Sequence, residues 1–128
     1  MILEIDFNSD EAIYMQLRNQ IIAAIACAEL CSGDMLPSVR SLADSVGINM
    51  HTVNKTYTLL KQEGYVKLDR RKGAVIAVDL RREADRELIY GDLCRILAGA
   101  LCKGFKRDEI HAMVDKIFDN YENPDKEV

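Results

Sequence analysis

The spacing of apolar residues predicts three helices in the first half of the chain. Between Ala12 and Ala28, apolar side chains recur at steps of three and four residues, which places them on one face of a helix. Ser9 or Asp10 is positioned to cap the start of this helix. The apolar stripe of this helix consists of Tyr14, Leu17, Ile21, Ile25 and Ala28.

Two further helices follow, joined by a short turn that contains glycine. Ser38 is predicted to cap a helix that runs to about Ser45, and Gly47 then ends it in a left-handed conformation. Asn49 is predicted to cap the next helix, which spans residues 50–63. Two short helices joined by a turn of this length form a helix-turn-helix.

Two short apolar runs after the third helix predict a β-hairpin. Residues 65–68 and 74–78 are rich in β-formers, and they flank the basic loop Asp69-Arg70-Arg71-Lys72-Gly73. A helix followed by a helix-turn-helix and a hairpin is the element order of a winged helix-turn-helix, in which the hairpin is the wing.

The last third of the chain is predicted to be helical. Apolar residues form a broad face between Ala84 and Lys103, Gly104 provides a stop, and a second stripe runs from Ile110 to Tyr121. An antiparallel hairpin of these two helices cannot bury its apolar surface alone, so it must pack on the first domain or on a second chain. We expect a dimer interface formed by Leu93, Ile96, Leu97, Leu101, Ile110, Met113, Val114, Ile117 and Phe118.

Charge is distributed unevenly along the 128 residues. The net charge of -4 and the pI of about 5.2 argue, taken alone, against a nucleic-acid partner. Residues 38–78, however, carry a net charge of +4, whereas residues 1–37 carry -5 and residues 79–128 carry -3. The basic segment coincides with the predicted helix-turn-helix and wing, and it therefore indicates a binding surface for DNA.

The second helix of such a motif places its first residues in the major groove, where polar side chains contact base edges or phosphates. Arg40 is the first candidate for direct readout, because arginine binds guanine O6 and N7 with two hydrogen bonds. The basic wing can reach the minor groove or the flanking phosphates. The predicted DNA contacts are Ser38, Arg40, Asn49, His51, Thr52, Asn54, Lys55, Arg70, Arg71, Lys72 and Gly73.

These residues carry a resemblance to a known family. The stretch from Gly33 to Ala43, GDMLPSVRSLA, resembles the signature of GntR-type bacterial transcription regulators. Matching positions before and after it are Ile13-Tyr14-Met15-Gln16-Leu17, Gly47-Ile48-Asn49, Thr52-Val53, Tyr57, Leu60 and Glu63-Gly64-Tyr65-Val66. The match covers residues 10–78, and the short two-helix tail is similar to that of the YtrA-like subfamily.

The resemblance implies a cytoplasmic homodimer that binds a palindromic double-stranded DNA operator, usually as a repressor. It assigns DNA contacts to the positions of Ser38, Arg40, His51, Thr52, Asn54 and the wing tip near Lys72 and Gly73. Met50 departs from the family, in which several members carry arginine at this position. We therefore do not expect the operator sequences of other family members to apply to this protein.

The predicted fold class is mainly α with a small β-hairpin, a winged helix-turn-helix followed by a two-helix dimerisation hairpin. Its parts are a DNA-binding domain over residues 1–79, a helical dimerisation or effector region over residues 80–122, and a frayed tail over residues 123–128. Charge interrupts every apolar run well before about 18 residues, so no membrane span is predicted. The acidic N-terminus predicts no secretory signal.

Four cysteines leave a second interpretation open. Cys27 and Cys31 are one helical turn apart, and Cys94 and Cys102 are two turns apart, but no CxxC pair is present. Structural zinc sites have tighter ligand spacing, so no metal site is predicted. We favour reduced cytosolic thiols. The alternative is a thiol- or metal-responsive regulator.

Other function classes receive less support. The sequence contains no glycine-rich phosphate loop, nucleophile elbow or HExxH motif, so neither an enzyme nor a cofactor is predicted. A winged helix used as a protein-interaction module is the competing hypothesis, against which the basic wing and the polar helix start argue. A small-molecule effector is left open, although the 50 residues after the wing leave little room for an enclosed pocket.

Overall fold

The computed structural model describes residues 2–71 and 73–123. In chain order its elements are α1 (Ile13–Ala26), α2 (Val39–Val46), α3 (Met50–Gln62), β1 (Val66–Asp69), β2 (Gly73–Ile76), α4 (Arg82–Cys102) and α5 (Arg107–Glu122). They fall into two compact units, Met1–Asp79 and Leu80–Val128. The predicted mainly α class with a small hairpin is confirmed. The predicted frayed tail lies, from residue 124 onward, outside the described residues.

Helix α1 is shorter at both ends than the apolar spacing predicts. It begins after Ala12 without a side-chain cap, and the Ser9 hydroxyl instead accepts a hydrogen bond from the backbone two residues further on. The predicted caps at Ser9 and Asp10 are therefore wrong. The helix ends two residues early because Ala28 adopts a left-handed φ of +61°, which breaks the helical hydrogen-bond pattern.

The helix-turn-helix forms as predicted, with both of its side-chain caps in place. Ser38 Oγ accepts a hydrogen bond from the backbone N of Ser41 at 3.1 Å. Asn49 Oδ1 accepts one from the backbone N of His51 at 2.7 Å. Between the caps, Gly47 has a φ of +78°, a conformation that ends α2 and that glycine adopts without strain.

The core of the first unit lies where the three helices meet the hairpin. It consists of Leu17, Ile21, Leu36, Leu42, Ala43, Val53, Tyr57, Leu60, Val66, Ala74 and Ile76. Thr56 is also fully buried, and its hydroxyl donates a hydrogen bond to the carbonyl oxygen of Tyr14 at 2.9 Å. This bond joins α1 to α3 without leaving a buried polar group unsatisfied.

Strands β1 and β2 pair antiparallel to form the wing. Val66 lies opposite Ile76, and Asp69 lies opposite Gly73. The connection between the strands is therefore shorter than the predicted five-residue loop, because both of its predicted end residues, Asp69 and Gly73, join the sheet.

A third segment, which the sequence analysis missed, extends the hairpin. Met35 forms a bridge with Val75, and the backbone N of Leu36 donates a hydrogen bond to the carbonyl oxygen of Ala74 at 2.8 Å. The chain just before Pro37 is therefore paired with the wing. This pairing positions the start of α2.

The second unit consists of α4 and α5, joined by a turn in which Gly104 has a φ of +85°. The backbone N of Lys106 donates a hydrogen bond to Glu109 Oε1 at 3.1 Å, which supports the start of α5. Neither helix contains a buried residue. Their apolar faces therefore still need a partner. Along the described chain, no helix is both long and apolar enough to cross a membrane.

Candidate nucleic-acid interface

The polar residues that begin α2 and α3 form an exposed surface. Val39, Asn49, Met50, His51 and Asn54 line one shallow hollow. Ser38, Arg40 and Lys55 are also exposed, whereas Thr52 is half-buried. The structure thus brings Asn49, His51 and Asn54 together beside Val39, in the first turn of α2. The exposed Met50 lies in the same hollow without adding a hydrogen-bonding group.

The capping hydrogen bonds use part of the hydrogen-bonding capacity of Ser38 and Asn49. Ser38 Oγ uses a lone pair to accept from the backbone, so its hydroxyl proton remains for an external acceptor. Asn49 uses its Oδ1 atom in the same way, and its amide NH2 remains as a donor. Both side chains therefore present donors outward, which suits phosphate oxygens and acceptor atoms on base edges.

Lys55 is held against α1. Its Nζ atom lies 3.9 Å from the centroid of the Tyr14 ring. The carbonyl oxygen of Tyr14 accepts the hydrogen bond from Thr56, so the ring sits on a backbone that is fixed to α3. Sequence reasoning identified Lys55 but missed Tyr14, because the two residues are adjacent only in the folded chain.

The side chain of Asp69 shapes the tip of the wing. Asp69 Oδ1 accepts a hydrogen bond from the backbone N of Arg71 at 2.7 Å, as in an Asx turn. Gly73 has a φ of +83° and a Cβ atom would meet nothing within 4 Å, so glycine is favoured there by backbone conformation and not by crowding. Arg70 and Arg71 are exposed at this tip. Lys72, the remaining predicted wing contact, lies outside the described residues.

A buried tyrosine on α3 is bonded to the segment that leads into α2. Tyr57 on α3 is 4% exposed, and its hydroxyl donates a hydrogen bond to the carbonyl oxygen of Pro37 at 2.7 Å. Burial raises the pKa of Tyr57 to about 12. The bond connects α3 with the residue before the Ser38 cap. A tyrosine in an otherwise apolar stripe is the sequence signal for such a bond, since a buried hydroxyl needs a partner.

An ion pair fixes the far end of α3. Arg18 on α1 binds Glu63 through two bonds, Nε to Oε1 and Nη2 to Oε2, each 2.6 Å long. The hydrogen bond to Glu63 raises the pKa of Arg18 further above its usual value. In the sequence, Arg18 is the one basic residue among residues 1–37. No sequence signal joins two residues that lie 45 positions apart.

The N-terminal segment is attached to α1 by two glutamines one turn apart. Gln16 accepts a hydrogen bond from the backbone N of Asp6 at 2.9 Å and donates one to the carbonyl oxygen of the same residue at 3.0 Å. Gln20 contacts both backbone groups of Glu4 in the same manner. These side-chain amides substitute for a neighbouring strand, because each satisfies the N–H and the C=O of one extended residue.

The cysteines do not assemble into a metal site. All four are free; Cys27 is half-buried, and Cys31, Cys94 and Cys102 are exposed. In the part of the chain that the structure describes, no group of three or more histidine, cysteine or acidic side chains is arranged to hold a metal ion. A thiol-based response stays a prediction.

Comparisons with known proteins identify the family of this chain. The family model "Bacterial regulatory proteins, gntR family" matches residues 10–76. The HTH-type transcriptional repressor YtrA of Bacillus subtilis is 29% identical over 118 residues, which cover 90% of this chain and 91% of the repressor. Both descriptions name regulators, in agreement with the expectation of a protein that is not an enzyme.

Two solved structures extend the likeness to the fold. YtrA from Sulfolobus acidocaldarius, a GntR-family transcription factor, is 41% identical with a TM-score of 0.62, and the match covers 73% of this chain and 99% of that one. A transcriptional antiterminator from Listeria monocytogenes is 22% identical and shares the fold with a TM-score of 0.86 over 94% of this chain and 92% of its own. The winged helix and the family match together show that the chain belongs to the GntR family of bacterial regulatory proteins and is similar to its YtrA-like members.

Proposed function

We propose that the protein is a homodimeric repressor that binds a palindromic DNA operator through its winged helix. The observation that carries this proposal is the exposed polar surface at the start of α3, in a unit that also exposes Arg40 on α2 and Arg70 and Arg71 on the wing. A helix start that presents several hydrogen-bonding side chains to solvent suits the major groove.

Within this surface, some side chains are candidates for contacts with bases and others for contacts with phosphates. Arg40 is the candidate for direct recognition of guanine, and His51 and Asn54 are the candidates for neighbouring base edges. The donors left on Ser38 and Asn49 suit phosphates. Thr52 is half-buried, so its contact is restricted to its exposed atoms.

The wing would supply contacts that do not depend on sequence. Arg70 and Arg71 are exposed on a tight loop, and Lys72 adds a third positive charge in the sequence. If about five basic groups of each protomer neutralise phosphates, the logarithm of the association constant falls with the logarithm of salt concentration with a slope of roughly -5. The wing thereby accounts for a large part of the affinity and little of the specificity.

The second unit would pair two protomers. Most of its large apolar side chains are exposed in the single chain, from Leu97 at 37% upward, and Ile110 is half-buried. Exposed apolar surface of this extent indicates a protein partner, and a second copy accounts for a two-fold symmetric operator. The proposed interface consists of Leu93, Ile96, Leu97, Leu101, Ile110, Met113, Val114, Ile117 and Phe118. A repressor that binds a DNA operator in a bacterium would act in the cytoplasm.

The test is footprinting and gel-shift titration on the DNA upstream of the protein's own gene. We expect Arg40→Ala to weaken specific binding by roughly 1–3 kcal/mol. Arg95→Ala, which removes the same charge from an exposed position on α4, is the matched control and should leave specific binding unchanged. An equal loss on random DNA would assign Arg40 to phosphate, and no shift at low salt would favour the protein-interaction module.

A further inference from the structure

Tyr14 is not one of the predicted DNA contacts, but its ring lies against Lys55, which is. We propose that Tyr14 is a positioning residue that holds the Lys55 ammonium on its ring so that Lys55 binds a DNA phosphate. The inference rests on the proposed function, since it concerns the same face of α3. The chemical partner is the phosphodiester backbone of duplex DNA of any sequence.

The geometry of the pair supports this role. The Lys55 Nζ atom lies 3.9 Å from the Tyr14 ring centroid, within the range in which a cation is attracted to the face of an aromatic ring. Within residues 2–71 and 73–123, no carboxylate forms an ion pair with Lys55. The ring thus holds the charge without neutralising it. The ammonium keeps its positive charge and its donors for an external anion.

The ring is itself well positioned. Tyr14 lies in the first turn of α1, and its carbonyl oxygen accepts the hydrogen bond from the buried Thr56 hydroxyl. That bond uses only the backbone of Tyr14, so a change of its side chain leaves the α1–α3 connection in place. Tyr14 is half-buried, whereas Lys55 is exposed on the same side of α3 as His51, one turn earlier.

The energetic reason is the entropy of a lysine side chain. A free lysine loses rotamer freedom when it is fixed on a phosphate, and this loss opposes binding. A ring that already restricts the side chain reduces the loss at the moment of binding, which is preorganisation. Removal of the ring should therefore weaken binding even though the charge of Lys55 remains.

A double-mutant cycle on the full-length protein tests the inference. The variants are Tyr14→Leu, Lys55→Met and the double variant, with duplex DNA of random sequence as the probe at several salt concentrations. We expect Tyr14→Leu to raise the Kd about two- to fivefold with the salt slope nearly unchanged. Lys55→Met should reduce the salt slope by about one. In the Lys55→Met background, Tyr14→Leu should have no further effect.

Two controls separate this role from a structural one. Tyr14→Phe keeps the ring and should bind as the unmodified protein does; a loss equal to that of Tyr14→Leu would assign the effect to the hydroxyl and overturn the proposal. Lys61→Met removes a charge from the other end of α3 and should leave the slope unchanged. An equal slope change for Lys61→Met would show a general charge effect and would also overturn it.

The outcomes distinguish this inference from the proposed function. Additive effects of the two substitutions, with DNA binding by the unmodified protein intact, would overturn the role of Tyr14 alone. Absence of binding by the unmodified protein to any duplex at low salt would overturn both. Thermal unfolding of each variant confirms that the compared proteins are folded.

Discussion

Tyr57 and Pro37 are joined by a hydrogen bond in which the buried phenol hydroxyl donates to the proline carbonyl oxygen at 2.7 Å. Pro37 immediately precedes the Ser38 cap, and Tyr57 lies in the middle of α3. The bond therefore fixes the distance between the start of α2 and the body of α3. Arg40 projects from the first turn of that same α2, so its direction depends on this contact.

Tyr57→Phe is expected to lower the free energy of unfolding by about 1–2 kcal/mol, because the Pro37 carbonyl loses its partner. Urea denaturation measures the change. Tyr65→Phe is the matched control, since its hydroxyl makes no hydrogen bond with the described residues. Equal losses in both variants would contradict the importance of the Tyr57 bond.

The same bond predicts a pH dependence of stability at high pH. The pKa of Tyr57 is raised to about 12 in the folded protein, against about 10 when unfolded. Between these values the unfolded chain loses the phenol proton and the folded chain keeps it, so stability falls as pH rises from 10 towards 12. The difference in unfolding free energy between the unmodified protein and Tyr57→Phe should shrink over this window. A constant difference would argue against a neutral buried phenol.

The ion pair of Arg18 with Glu63 should contribute modestly to stability. Its two-bond geometry favours the upper part of the range for surface pairs, about 0.5–1 kcal/mol. A double-mutant cycle with Arg18→Leu and Glu63→Gln measures this coupling. Arg18→Lys keeps the charge but not the paired geometry and should recover only part of it. High salt should reduce the coupling; a salt-independent value would contradict a partly exposed pair.

Gln16→Leu is expected to release the N-terminal segment. Its amide makes three hydrogen bonds with the backbone of Asp6 and Glu11, and their loss should cost about 1–3 kcal/mol. Hydrogen–deuterium exchange at the Asp6 amide should accelerate, while exchange in α3 should change only through global stability. Gln62→Leu, which makes the same substitution at an exposed position of α3, is the matched control. Unchanged exchange at Asp6 would show that another contact holds the segment.

Ile117→Glu is expected to convert the proposed dimer to a monomer, because it introduces a charge into the exposed apolar face of α5. Sedimentation velocity measures the mass, and operator affinity should fall with it. Lys116→Glu changes a neighbouring polar position and should remain dimeric. A dimer that persists in Ile117→Glu would place the interface elsewhere on the molecule.

The sequence predicted those features that depend on neighbouring residues. The caps at Ser38 and Asn49 and the left-handed Gly47 were predictable because each involves groups within four positions of the residue. The cap of α1 was mispredicted because Ser9 has a competing backbone donor nearby. Propensity does not distinguish between two local donors.

The features that were missed connect distant parts of the chain. The bridge between Met35 and Val75 depends on how the first unit folds, and no pattern within residues 33–36 indicates it. The contact of Lys55 with Tyr14 also depends on how the first unit folds. Lys55 was predicted as a DNA contact, but its contact with the Tyr14 ring was not. The candidate contacts were thus identified from the sequence, whereas the residues that support them were not.

The bridge between Met35 and Val75 connects α2 to the strands of the wing but not to the tip of the wing. The segment from Met35 through Leu36 ties the wing strands to the residues that begin α2, whereas Arg70 and Arg71 lie beyond the last strand pair. We therefore expect charge changes at Arg70 and Arg71 to leave the paired backbone intact, and shifts in β2 to displace α2. On the proposed function, substitutions at these two arginines would change the affinity for phosphates without moving the residues proposed to contact bases.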